Sequence, residues 1–264
     1  MRGRQSTTKD ALLDSGIIKY IQLDRERVGS FDDYPFDIPA IHHLEKLELH
    51  PKVTFLIGEN GSGKSTIIEA IAVAAGFNPE GGTKNFNFTT RPTSYELSDL
   101  LTVVRGIRRE EWGYFLRAES FFNVATTIET PDVAGQTLLP YFGGKSFHIE
   151  SHGEGFMRLA ELKFTKNGIY ILDEPEAALS PNRQLSFLRL IHDLVTNKSS
   201  QFIIATHSPI IMAYPNSTIY RLGSGPIEPV AYEETEHYLV TRGFLANREF
   251  ILERLFNDNP DPDS

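Results

Sequence analysis

The sequence predicts an α/β fold with a mainly parallel sheet at its core, on three observations. Short apolar and β-branched runs alternate with stretches of helical length, the order that gives strands covered by helices. A glycine-rich segment stands where one such strand gives way to a helix, in "FLIGENGSGKSTIIEAIA" (Phe55 to Ala72). Two later strands, in "GIYILDEP" and "QFIIATHS", end on carboxylates and on a histidine. The carboxyl ends of parallel strands are where such sheets form their ligand crevice.

Taken in order, residues 1–16 are polar and are expected to be a flexible N-terminus. "IIKYIQL" reads as a first strand, followed by a loop in which Pro35 and Pro39 block regular structure. "LEKLELH" reads as a short strand, and "KVTFLIG" as a buried one ended by glycine. Ser65 to Ala75 has neither Pro nor Gly and predicts a helix. From Phe77 to about residue 150 the texture changes: "NPEGGTKNFNFTTRPTS" is turn-rich, and "YELSDLLTVVRGIRREE" looks helical. This stretch is expected to form an inserted helical lobe. The α/β pattern then returns, with helices at "GEGFMRLAELKF" and at "PNRQLSFLRLIHDLVTN" and strands at "GIYILDEP", "QFIIATHS" and "STIYRL". "EETEHYLVTRGFLANREFILERLF" predicts a closing helix or helix pair, and 257–264 an acidic disordered tail. Residues 17–256 are thus expected to form one domain.

Composition narrows the chemistry. The 264 residues are 40% hydrophobic and 23% charged, which suits one substantial core or a core with an inserted subdomain. Cysteine is absent, which removes disulfides, thiolate metal sites and a thiol nucleophile, and fits a reducing compartment. The net charge of −9 argues against nucleic-acid binding over the whole surface while leaving room for a local basic groove. The start of the chain has no apolar signal-type run, and no apolar stretch reaches the ~18 residues of a membrane span. A cytoplasmic protein is the expectation.

Gly58-Glu59-Asn60-Gly61-Ser62-Gly63-Lys64-Ser65 fits the pattern G-x4-G-K-[ST] in full. A polyphosphate needs several converging main-chain N–H donors, and glycine lets the backbone curl that closely. The helix that follows adds free N–H groups and the positive end of its dipole. Lys64 supplies a mobile charge for the outer phosphates, Ser65 a hydroxyl for Mg²⁺, and Thr66 continues the first turn. Asp173 and Glu174, just past an apolar strand, are placed to hold the Mg²⁺ shell and to polarise an attacking water, respectively. His207, at the end of the next strand, is placed to contact a γ-phosphate.

In this order the motifs resemble the ATP-binding-cassette (ABC) class of P-loop ATPases. The resemblance implies an ABC-type fold with an N-terminal antiparallel β portion, ATP and Mg²⁺ as cofactors, and hydrolysis to ADP and phosphate. It implies Lys64, Glu174 and His207 as catalytic residues. It also implies a signature segment, here Ser151-His152-Gly153-Glu154-Gly155, which would serve a nucleotide bound to a second copy. A homodimer closed around ATP follows, with Ser180 near the interface. "DEPEAALSP" and "ATHSPIIMAYPNSTIYRL" look like the soluble ATPases related to the RecF, SMC and OLD groups. That likeness points to a partner on a separate chain, in a DNA-related or defence process. The alternatives are a transporter's nucleotide-binding subunit and an ATP-dependent scaffold with little turnover. The family's usual glutamine in the inserted region is missing, and Glu119 is expected to replace it at the metal, or else to pair with Arg117. Arg25 and Arg27 are candidates for the base or ribose, and nucleic-acid contact through the charge-mixed lobe is a further candidate.

Overall fold

Two sheets organise the chain, and strand alternation decides which layer each side chain enters. The computed structural model describes residues 16–79, 81–83, 95–118 and 152–257, with a few positions between 121 and 146. Strand β1 (Ile18–Leu23) pairs antiparallel with β2 (Lys46–Glu48) and with β4 (Leu101–Arg105) in a three-stranded sheet. The larger sheet contains β3 (Val53–Ile57), β5 (Trp112–Arg117), β6 (Gly168–Asp173), β7 (Gln201–Ala205), β8 (Thr218–Arg221) and β9 (Glu228–Pro229). Its order is β5-β6-β7-β3-β8-β9, parallel throughout except for the antiparallel edge strand β9. The expected class, a mainly parallel core with an N-terminal antiparallel portion, is the one observed.

The central strands are buried on both faces, as a parallel sheet covered by helices requires. Phe55, Tyr170, Leu172, Phe202 and Ile204 point into one layer. There they meet Phe156 and Leu159 of helix α4 (His152–Lys163) and Phe187 and Ile191 of helix α5 (Pro181–Lys198). Phe156 and Phe187 meet edge to face with centroids 5.7 Å apart. Burial of one such ring is worth about 2–3 kcal/mol. Leu56, Ile169, Ile171 and Ile203 point the other way, toward the antiparallel sheet and helix α2 (Lys64–Ala74), which contributes Ile67, Ile68 and Ile71. Buried Gln201 joins the two sheets: its amide accepts from Ile18 N at 2.8 Å and donates to the carbonyls of Ile18 and His50.

The stretch expected to be a helical lobe differs from expectation in its first half. Helix α3 covers only Tyr95–Leu100, and the Leu-Thr-Val-Val-Arg run that follows is β4. Its β-branched residues favour the pleated edge of β1 over a helix. "WGYFLR" is β5, in register with β6 from Trp112↔Gly168 to Arg117↔Asp173. Residues 77–117 thus supply strands to both sheets, and most of 118–151 lies outside the described residues. The same holds for the N-terminal segment through residue 15 and for the tail from residue 258. The short helix α1 (Pro39–His42) sits in the loop after β1. The chain closes with α6 (Glu236–Ala246) and α7 (Arg248–Asn257), neither of which buries a residue. Their faces leave Leu239, Val240, Leu245, Phe250, Leu255 and Phe256 exposed.

Candidate functional site

The phosphate loop runs from the end of β3 into α2, and close packing explains Gly58 and Gly63. A Cβ on Gly58 would stand 2.3 Å from the Leu222 carbonyl oxygen. Gly63 is left-handed, at φ 92°, and a Cβ there would meet Ile38 Cγ2 at 2.7 Å. No side chain caps α2, so the N–H groups of its first turn face the loop. Lys64 is buried, and its Nζ donates to the carbonyls of Gly58 at 2.9 Å and Glu59 at 2.8 Å. Burial lowers its pKa, while the carboxylates of Glu174, Asp173 and Glu176 act against that shift. The Ser62 hydroxyl is buried and has no hydrogen-bond partner, which fits an acceptor supplied by a ligand.

Strands β6 and β7 bring the remaining groups to the same end of the sheet. Ser65 Oγ donates to Asp173 Oδ1 at 3.2 Å, so a hydroxyl and a carboxylate expected at one metal are adjacent. This pairing of oxygen donors suits Mg²⁺, which takes one or two protein ligands and fills its shell with water and phosphate oxygens. Among the described residues no cluster of three or more His, Cys, Asp or Glu could hold a metal unaided. Asp173 also faces Arg117, whose Nε is 3.5 Å from Oδ2 and whose Nη1 bonds Glu69 at 2.7 Å. Arg117, weighed from sequence as a partner for Glu119, is engaged by Glu69 and Asp173. Glu119 itself lies outside the described residues.

Glu174 is left-handed, at φ 49° and ψ 52°, a conformation that non-glycine residues adopt at a cost. Its N–H donates to the Ala205 carbonyl at 2.9 Å, which ties the end of β6 to the end of β7. Its Oε1 lies 3.4 Å from His207 Nε2. Burial and Lys64, with a smaller share from His237, lower the pKa of His207, outweighing Glu174. Lys64, Ser65, Asp173, Glu174 and His207 thus lie together at one end of the sheet.

Three residues of the site were not foreseen. Glu176 accepts from the His207 N–H and, at 2.8 Å, from the hydroxyl of fully buried Thr206. Burial raises its pKa, and those two donors pull it back down. The signal was visible, as a third acid within the quoted "DEPEAALSP" facing a turn with open donors. Tyr34, 54% exposed, lines a cavity of about 350 Å³ with Ile38, Asn60, Gly61, Lys64, Thr66 and Glu174. His237, on α6, hydrogen-bonds His207 across 3.0 Å. Arg25, a candidate for the base or ribose, is engaged within the protein: its guanidinium bonds the carbonyls of His42 and Leu44 and lies 4.3 Å over Phe31. It braces the loop after β1.

Of the signature segment, Ser151 lies outside the described residues. Gly153 is buried where a Cβ would stand 2.6 Å from Arg183 Cδ and 3.0 Å from the Ala178 carbonyl oxygen. Glu154, on the exposed first turn of α4, pairs with Arg183 at 2.9 Å. The start of α4 is thus packed on the turn that follows Glu174. Ser180 is exposed just before α5.

Two family models match the chain. One, described as "AAA ATPase domain", matches residues 143–212, and one described as "AAA domain" matches residues 27–131. The chain is an ATPase similar to the ABC class. Among the relatives of this ATPase is the cytochrome c biogenesis ATP-binding export protein CcmA of Rhizobium etli. It is 29% identical over 171 residues, covering 59% of this chain and 75% of the relative. The thiamine import ATP-binding protein ThiQ of Rhizobium meliloti is 27% identical over 216 residues, 76% of this chain and 86% of that one. Solved structures similar to it include an SMC head domain from Thermotoga maritima, at 17% identity and TM-score 0.43, covering 81% of this chain and 99% of that one. Another is cbiO1 from Clostridium perfringens, at 17% identity and TM-score 0.49, covering 90% and 99%. No described helix is long and apolar enough to cross a membrane.

Proposed function

We propose that this ATPase binds Mg-ATP in the loop around Lys64, closes with a second copy around two nucleotides, and uses hydrolysis to drive a partner carried on a separate chain. The observation that carries the proposal is the convergence of the phosphate loop with Asp173, Glu174 and His207 at the ends of three adjacent parallel strands. Lys64 and the N–H groups of Gly61, Ser62 and Gly63 hold the β- and γ-phosphates, with Asn60, Ser65 and Thr66 on the loop's flanks. Ser65 and Asp173 would hold Mg²⁺, which when bound would supply positive charge to the phosphates. Glu119 would complete that metal shell if it stands in for the missing glutamine. Glu174 orients the attacking water and takes its proton, and His207 donates from Nε2 toward the γ-phosphate. Tyr34, whose exposed ring lines the same cavity, offers a face for the base.

Ser151, Gly153 and Glu154 would face the nucleotide of the second copy, so each site is completed by its partner. For Glu154 this means giving up its pair with Arg183, a small loss because that pair is exposed. The γ-phosphates then act as interfacial contacts that hydrolysis removes.

A membrane transporter is the partner favoured by the comparisons, since relatives are named as export and import ATP-binding proteins. The comparisons support the ATPase and lend nothing to the DNA-related or defence role expected from sequence. Two assays decide. Glu174→Gln should form an ATP-dependent dimer by light scattering, because it keeps binding and loses water activation. A monomer with ATP and Mg²⁺ refutes the sandwich. Co-purification with a membrane protein in detergent supports the transporter partner, whereas ATPase activity stimulated by DNA with a steep salt dependence supports the other.

A further inference from the structure

His237 is distant from the phosphate loop in sequence and beside it in space. It sits in the first turn of α6 and, with Glu59 and Asn60, lines the cavities next to the loop. Helix α6 is moored to the turn that carries His207. The Thr235 hydroxyl caps the helix, accepting from Tyr238 N, and donates to the Tyr232 carbonyl at 2.8 Å. The Tyr232 hydroxyl donates to the carbonyl of Pro209, two residues beyond His207. The two imidazoles meet with ring centroids 5.2 Å apart, and His207 Nδ1 is 3.0 Å from His237 Nε2.

One proton lies between those nitrogens, and its placement decides what His207 can do. If His207 donates from Nδ1, its Nε2 becomes a bare lone pair aimed at the Glu174 carboxylate 3.4 Å away. That arrangement is repulsive, and it presents no donor to a phosphate. If His237 donates from Nε2, the His207 proton moves to Nε2, where it faces both Glu174 and the phosphate site. His207 Nε2 and His237 Nδ1 are each buried without a hydrogen-bond partner, consistent with an outer acceptor for the first. The charges around the pair are Lys64 and Glu59 from the loop, Glu174 from the end of β6 and Glu236 on α6 itself.

We propose that His237 is a positioning residue: by donating to Nδ1 of His207 it fixes that ring as the Nε2–H tautomer that can hydrogen-bond a γ-phosphate. The proposal rests on the ATP-site reading above and adds α6 to the machinery. Neutral imidazole exists as two tautomers, and a neighbour's hydrogen bond selects between them.

The test needs no nucleotide for its first readout. ¹⁵N NMR of the imidazoles in nucleotide-free protein at pH 8 should show the His207 proton on Nε2. His237→Leu, which cannot donate, should shift His207 toward the other tautomer and lower kcat by at least about ten-fold, with ATP affinity little changed. His237→Gln places an amide N–H near the same point and should restore both the tautomer and most of kcat. A His207 proton found on Nδ1 in the unmodified protein would overturn the proposal. So would a Gln variant that loses as much kcat as the Leu variant while its tautomer stays unchanged, because that pattern means packing alone. Absence of ATP binding in the unmodified protein would sink the ATP-site reading, and the tautomer measurement distinguishes that failure from this one.

Discussion

Replacing Glu176 by alanine is the most searching test of how the site is held. Its carboxylate is the acceptor for two donors on the turn that carries His207: the His207 N–H and the Thr206 hydroxyl. Thr206 is fully buried, so its hydroxyl cannot turn to bulk water, although it keeps the Ser208 N–H as a donor to its own oxygen. A buried polar group left unpaired costs about 1–3 kcal/mol. The His207 N–H is only half-buried, and water entering the space left by the side chain recovers part of its loss. Against both stands the relief of desolvating a carboxylate, which is what raises its pKa. The balance is a loss of about 2 kcal/mol, or about 4–8 °C in Tm for a chain of this size. Glu176→Gln keeps one acceptor and turns an amide N–H toward a donor, so about half that loss is expected. Urea titration and thermal melts measure the stability, and steady-state ATPase assays should show kcat falling at least about ten-fold as His207 loses its seat. An alanine variant within about 0.5 kcal/mol of the parent and with undiminished kcat would refute the reasoning.

The other expectations are briefer. Lys64→Ala should weaken ATP binding at least about ten-fold, measured by calorimetry, because the loop amides then face the phosphates without the ammonium. Gly63→Ala should lose about 1–2 kcal/mol from the left-handed backbone alone and more from the contact with Ile38, read as a lower urea midpoint together with weaker nucleotide binding. Acidification should destabilise the fold through the histidine pair. Both pKa values are lowered chiefly by burial, so the unfolded chain takes up protons first; this contribution to stability is full above about pH 6.5 and is lost as pH falls below it. His237→Leu should reduce the slope of stability against pH in that window. Glu119→Ala, which leaves no oxygen ligand, should impair Mg²⁺-dependent turnover, and unchanged turnover would remove Glu119 from the metal site.

The parts of this protein legible in sequence are those whose physics is local. The phosphate loop could be read because backbone curvature demands glycine at fixed spacing, and the strands ending at Asp173 and His207 because each is short, apolar and abruptly polar at its end. Strand β5 was missed for a physical reason. "WGYFLR" is buried on both faces in the interior of its run, so it lacks the alternation that marks a half-exposed strand, and its charged neighbours disguise it. Strand β4 was absorbed into a helix because α3 runs directly into it with no breaker between Leu100 and Leu101. Glu176, Tyr34 and His237 act through partners far along the chain, and only the fold brings those partners near. Arg25 shows the converse: a cation that looked available to a ligand is occupied by two carbonyls and an aromatic face.

The closing helices, with no side chain of their own in the core, draw their order from one end. Thr235 is completely enclosed and Tyr232 grips Pro209, but neither closing helix buries a side chain. Amide exchange should therefore be slowest near residue 238 and quicken steadily toward residue 257, like a pier that sways most at its seaward tip. Whatever steadies that tip would also steady the imidazole at its landward root.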